Sequence, residues 1–210
     1  MSALILGVGP GLGLALARAY GGAGHKVAVV ARRPEAVSNY VSSLVGVDAV
    51  GLTADLADPV SVTRVVREAA GDLGPLDVVH YNASVLLEGT PSKVGLAEVE
   101  QSWRVGCLGA WAALQAAVPL MPQGAAFLVT NSGLAQKPWP PASALSAAKA
   151  ALHNMVQAAA AELTDIRVAM LTVMGMIRKG TDLDPDEIAR AFVDLLEQTD
   201  PPVESFIPRR

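Results

Sequence analysis

With 210 residues the chain is long enough for one sizeable core and short for two, and 51% hydrophobic against 17% charged residues excludes disorder. A net charge of −4 and a pI near 5.3 leave no basic surface for nucleic acid or anionic lipid, so neither is expected as a partner. The lone Cys107 cannot form an internal disulfide, which suits a reducing, cytoplasmic compartment.

The first twenty residues are apolar, but four glycines and Pro10 interrupt them, so they read as strand, turn and helix rather than as a leader. Arg18, Arg32, Arg33 and Lys149 break every apolar run before it reaches membrane-spanning length. Short β-branched runs then alternate with alanine-rich amphipathic stretches. Strands are predicted at Ala3 to Leu6, Lys26 to Ala31, Ala49 to Thr53, Asp77 to Tyr81, Ala125 to Thr130, Ile166 to Val173 and Ser205 to Ile207. Helices fill the gaps, over Gly11 to Gly22, Arg33 to Leu44, Pro59 to Ala70, Val94 to Leu120, Ser143 to Leu163 and Pro185 to Gln198. Right-handed βαβ crossovers make this a single α/β domain over residues 1–210, a Rossmann-type doubly wound parallel sheet with helices on both faces. The proline run of Lys137 to Ala142 stays extended and is expected to edge the active site.

The first strand runs into Gly7-Val8-Gly9-Pro10-Gly11-Leu12-Gly13 and then into a helix. Glycine permits the tight turn, lets backbone N–H groups reach a pyrophosphate, and lets the helix bring its positive end to the anion. Strand, turn and helix stand in the order a dinucleotide site needs. Gly7, Gly9, Gly11, Leu12 and Gly13 are therefore cofactor-binding candidates. At the end of the second strand Ala31-Arg32-Arg33 carries no carboxylate for a ribose 2′-hydroxyl. Its two guanidinium forks suit a 2′-phosphate instead, so NADP(H) is expected ahead of NAD(H); a solvated pair at a helix start is the alternative. Asp55, followed by Leu56, either meets the adenine amino group or caps the helix near Pro59.

These residues resemble the short-chain dehydrogenase/reductase family from Met1 to about Leu196. Gly7, Gly11 and Gly13 match its G-x-x-x-G-x-G signature, and Tyr81-Asn82-Ala83-Ser84 stands where the family has Asn-Asn-Ala-Gly, keeping Asn82 and Ala83 for the cofactor. Leu145-Ser146-Ala147-Ala148-Lys149 lines up with the Tyr-x-x-x-Lys helix: Lys149 is present, and leucine replaces the tyrosine. The resemblance implies that Ser132, thirteen residues before Leu145, polarises the substrate oxygen, that Lys149 binds the nicotinamide ribose, and that the missing tyrosine was the proton donor. It also implies an asparagine at Gly106, which would help hold a proton-relay water. General acid catalysis is commonly worth about 10² to 10⁴ in rate, so its loss slows hydride transfer without excluding it. Ser132, Ser143, Ser146, Tyr81 and Lys149 are the possible stand-ins. Ser143 and Ser146 read as capping or packing residues, and Tyr81 as wedged against the proline run. Restoring tyrosine at 145 and asparagine at 106 together is expected to exceed restoring tyrosine alone.

Between Val173 and Asp184 the family's long substrate lid is nearly absent. His25, His80 and His153 match no metal spacing, and His80 reads as a satisfied packing residue. Trp103 and Trp111 lie on one face of the long helix, and the resemblance implies that this helix and the Lys149 helix pair with a second copy in a homodimer or homotetramer, with contacts around Trp111, Val156 and Ala159. The expectation is an NADP(H)-dependent oxidoreductase acting on a carbonyl or alcohol, with an altered proton donor and a small-molecule substrate the sequence does not name. The alternative is a catalytically silent NADP(H)-binding sensor or scaffold.

Overall fold

A computed structural model describes residues 1–208. Its seven strands, β1 (Ser2–Leu6), β2 (Lys26–Ala31), β3 (Ala49–Thr53), β4 (Val78–Tyr81), β5 (Ala126–Ser132), β6 (Arg167–Val173) and β7 (Glu204–Ile207), form one sheet in the order β3-β2-β1-β4-β5-β6-β7. Every pairing is parallel. Helices must therefore carry the chain back between strands, and the two sheet faces bury alternate strand residues. Leu4, Leu6, Ala28, Val30, Phe127 and Val129 face one core with α3 (Pro59–Leu73), α5 (Gly109–Ala117) and α6 (Ser143–Glu162). Ala3, Ile5, Val27, Val29 and Leu128 face the other with α1 (Leu12–Gly22) and α7 (Pro185–Glu197). The remaining helices are α2 (Pro34–Ser43) and α4 (Leu96–Trp103). The sheet reverses its winding between β1 and β4, which opens a crevice beyond their C-terminal ends.

Predicted elements and observed ones agree to within a few residues, except for the helix expected over Val94 to Leu120. It divides into α4, a π-helical turn over Arg104–Leu108, α5 and a 3₁₀ turn at Val118–Leu120. The cause is visible at its inner face. Gly109 sits so close to the sheet that a Cβ there would lie 2.3 Å from both the Leu56 carbonyl and the Tyr81 hydroxyl. The π turn lets the Gly109 N–H reach the Arg104 carbonyl, and the Tyr81 hydroxyl donates to the Val105 carbonyl. Tyr81 is thus buried beneath the π turn, not wedged against the proline run. The helix beginning at Pro59 is capped by Asp58, whose carboxylate accepts from the Val60 and Ser61 N–H groups. Asp55 does not cap it; its carboxylate accepts from the Ala57 N–H in a tight local turn.

Among the described residues no helix is long and apolar enough to cross a membrane, and no cluster of three His, Cys, Asp or Glu could hold a metal ion. His80 is a packing residue: it bridges the Tyr20 hydroxyl (2.8 Å) and the Thr130 hydroxyl (2.9 Å) and lies edge-on to Phe192. Burial brings its pKa down to about 3.

Candidate active site

The glycine segment turns sharply after β1. Gly7 has φ +96°, and a Cβ on it would come within 2.7–2.8 Å of Ala83, so the turn and the close approach of the 83 backbone both demand glycine. The Gly7 and Val8 N–H groups return to the Val30 carbonyl at 3.1 and 2.8 Å, and the Asn82 amide donates to the Gly7 carbonyl at 2.9 Å. A Cβ on Gly13 would press on Val8 at 2.7 Å, whereas Gly9 and Gly11 face open space. Helix α1 has no side-chain cap and no acidic residue in its first turn, so the N–H groups of Leu12 and Gly13 meet no acceptor among the described residues. Orphan donors, a positive helix end and room beside Gly9 and Gly11 make a cradle for an anion.

Arg32 and Arg33 are exposed at the end of β2, and no carboxylate among the described residues pairs with either. Asp55 is exposed at the end of β3, and Leu56 is buried in the core. The structure thus brings Gly7 to Gly13, Arg32, Arg33, Asp55, Asn82 and Ala83 to the C-terminal ends of four adjacent strands, β3-β2-β1-β4.

The crevice continues past β5 and β6. Lys149 is buried on α6 and its Nζ donates to the Thr130 carbonyl at 2.8 Å; burial lowers its pKa to about 8. Ser132 ends β5, and its hydroxyl accepts from the Leu134 N–H at 3.3 Å. Ser132 and Leu145 both line a cavity of about 450 Å³ whose other walls include Leu86, Leu134, Trp139, Met174 and Met176. Leu145, one helical turn before Lys149, occupies this wall with a hydrocarbon side chain. Lys137, Trp139 and Ala142 of the proline segment also border the cavity. That segment is tied to the loop after β4, where the Gly89 N–H donates to the Pro141 carbonyl at 2.8 Å.

Three of the stand-ins for the proton donor are committed elsewhere. Ser143 donates to the Gly89 carbonyl (2.6 Å), Ser146 to the Ala142 carbonyl (2.9 Å), and Tyr81 to Val105. At Gly106 a Cβ would lie 2.9 Å from the Ala148 Cβ, so an asparagine there needs a shift of one helix against another. The apolar walls were not foreseen from sequence, although each follows a strand: Leu86 follows β4, Leu134 follows β5, and Met174 and Met176 follow β6.

A single Rossmann-type sheet with a glycine cradle at its switch point, a buried lysine on α6 and a cavity lined by Ser132 defines a dinucleotide-dependent class of fold. The short chain dehydrogenase profile matches residues 1–188, and the chain belongs to that family. A versicolorin reductase of Emericella nidulans is 31% identical over 175 residues, covering 81% of this chain and 66% of the relative. The chain therefore spans about two thirds of that relative's length. Among solved structures, a short chain dehydrogenase of Burkholderia cenocepacia in complex with NADP superposes with a TM-score of 0.85 at 25% identity, covering 93% of this chain and 89% of the other. A blue fluorescent protein from a metagenomic library, in complex with NADPH, does so with a TM-score of 0.78 at 27% identity, covering 92% and 82%.

Proposed function

We propose that this chain is an NADP(H)-dependent oxidoreductase that acts on a carbonyl or alcohol with an altered proton donor. The observation that carries this reading is the uncapped donor set at the N-terminus of α1, open at Gly9 and Gly11 and followed across the sheet by Arg32 and Arg33, which no carboxylate among the described residues pairs. The residues fit the group. The Gly9, Gly11, Leu12 and Gly13 backbone would hold the pyrophosphate, with Gly7 shaping the turn. Arg32 and Arg33 would hold the 2′-phosphate, and Asp55 with Leu56 would border the adenine. Asn82 fixes the Gly7 turn, Ala83 floors it, and Lys149 would bind the nicotinamide ribose. When bound, the nicotinamide supplies a hydride or accepts one. Ser132 would donate a hydrogen bond to the substrate oxygen at the cavity wall, and Leu145 can donate none.

NADP-bound and NADPH-bound neighbours and a reductase-named relative support the reading. We place the protein in the cytoplasm and take its working form to be a homodimer or homotetramer. Trp103, on α4 beside α6, and Trp111, on α5, are 43% and 46% exposed, and the outward face of α6 carries Ala147, Ala150 and Ala158. NADPH titration by fluorescence, followed by NADPH oxidation against a panel of carbonyl compounds, tests the function. Binding with turnover supports it; binding without any turnover returns the chain to a sensor or scaffold.

A further inference from the structure

We propose that the cavity beside Ser132 takes a quinone-class substrate, a flat conjugated dicarbonyl whose reduction does not require a proton from the protein. This rests on the reading above that the crevice binds NADP(H). Two observations carry it. The first is the wall: Leu86, Leu134, Trp139, Leu145, Met174 and Met176 line an open-mouthed cavity of about 450 Å³ with largely apolar and aromatic surface, Ser132 and Lys137 being its polar members, which suits a flat apolar ring. The second is the place of Leu145 in that wall. It stands one turn before Lys149 on α6 and carries no proton to give; of the stand-ins, Ser143, Ser146 and Tyr81 each spend their hydroxyl on a backbone carbonyl and Lys149 directs its ammonium to the Thr130 carbonyl, which leaves the weakly acidic Ser132 hydroxyl at the cavity.

The chemistry of the acceptor then decides what can react. Hydride addition to a simple ketone makes an alkoxide about as basic as hydroxide. Such a product needs an acid at the reacting oxygen. A quinone that gains a hydride becomes a hydroquinone monoanion, a phenolate with a conjugate-acid pKa of about 10, like tyrosine. In balance, one quinone and one hydride give the monoanion: the hydride ends as the hydrogen of a new O–H bond at one carbonyl oxygen, both C=O π bonds become C–O single bonds as the ring becomes aromatic, and the negative charge rests on the second oxygen. A reduced nicotinamide dinucleotide supplies the hydride and with it two electrons, becoming the oxidised cation, and one proton from water completes the hydroquinone. Ser132 is sufficient to orient the carbonyl, because the developing charge spreads over the ring. The short connection after β6 leaves water free to supply the proton.

The test uses the full chain, first alone and then with NADPH. Menadione should quench tryptophan emission of the native protein, and quench it less in Trp139→Phe. With NADPH binding established by fluorescence, menadione should be reduced at least about tenfold faster than cyclohexanone or acetophenone, with a D₂O effect on turnover close to unity. Leu145→Tyr should raise the ketone-to-quinone rate ratio at least about tenfold, and Leu145→Phe, equally bulky without the hydroxyl, should not. If NADPH fails to bind, the cofactor reading falls and this proposal with it. If NADPH binds but menadione neither quenches Trp139 nor is reduced, or if simple ketones are reduced as fast as menadione, the quinone assignment is overturned and the cofactor reading stands.

Discussion

Arg32 and Arg33 extend from the end of β2, exposed and with no carboxylate among the described residues paired to either, so their guanidinium forks are free to meet an anion. A charge-assisted hydrogen bond is worth about 1.5 to 3 kcal/mol, and about 1.4 kcal/mol is tenfold in affinity, so NADPH should bind at least about tenfold more tightly than NADH. Arg32→Ala should erase most of that preference while leaving the melting temperature nearly unchanged; parallel titrations with the two cofactors check it. At the other end of the crevice, Leu145 borders open cavity, so a tyrosine fits there, and Leu145→Tyr should raise ketone reduction by up to about 10²-fold. Gly106→Asn should not add to it. The sequence comparison alone favours the double change, but the Ala148 methyl stands 2.9 Å from where the new Cβ would be, and overpacking of this kind costs about 1 to 3 kcal/mol. The double variant should melt lower than Leu145→Tyr and turn over no faster.

Helix α6 carries its lysine into the core at the expense of stability. Burial lowers the Lys149 pKa from 10.5 to about 8, so below pH 8 the folded protein must hold a charge that the unfolded chain solvates better. The unfolded chain binds more protons between about pH 8 and 10.5, and stability on this account rises with pH across that window. The penalty at pH 7 is roughly 3 kcal/mol. Lys149→Met should therefore melt higher than the native protein at pH 7, and the gap should narrow by pH 10 as the native lysine loses its charge; NADPH affinity should fall at both. Helix pattern and strand pattern were legible in the sequence because each element repeats its apolar residues at its own period, and the glycines because their spacing has a steric cause. The break at Arg104–Leu108 was not legible. It is imposed by the Tyr81 hydroxyl and by the contact of Gly109 with the Leu56 carbonyl, both distant in sequence. The cap of α3 was likewise not legible: the sequence reading offered Asp55, and it is Asp58 whose carboxylate meets the first turn, while Asp55 turns back on the Ala57 N–H.

Across the whole molecule, the expected contact between copies needs one revision. Val156 and Ala159 are buried in the chain's own core and cannot meet a partner, so Ala159→Arg would unfold the protein rather than dissociate it. The exposed surface is Trp103, Trp111 and the outward alanines of α6. Eight residues at about 3.6 per turn overshoot two helical turns, and the wider π turn between the two tryptophans takes back part of that excess, bringing the indoles closer to one face. Light scattering at micromolar concentration should give at least a dimer, and Trp111→Glu or Ala150→Arg should shift it to monomer with the fold retained by circular dichroism.

The connection between β6 and α7, residues 174–184, is tied to itself. The Thr181 hydroxyl donates to the Arg178 carbonyl at 2.7 Å, the Gly180 N–H to the Asp184 carboxylate at 2.6 Å, and the Arg178 N–H to the Leu183 carbonyl at 3.1 Å. A segment this short and braced in this way is poorly built to swing as a lid, and in many enzymes it is the opening of such a lid that limits turnover. On the proposed function, bond-making itself is then expected to be the slow event. With deuterium at the transferred position, the isotope effect on kcat should be as large as that on kcat/KM for any substrate the chain reduces. A smaller effect on kcat alone would reveal a release step that sets the pace.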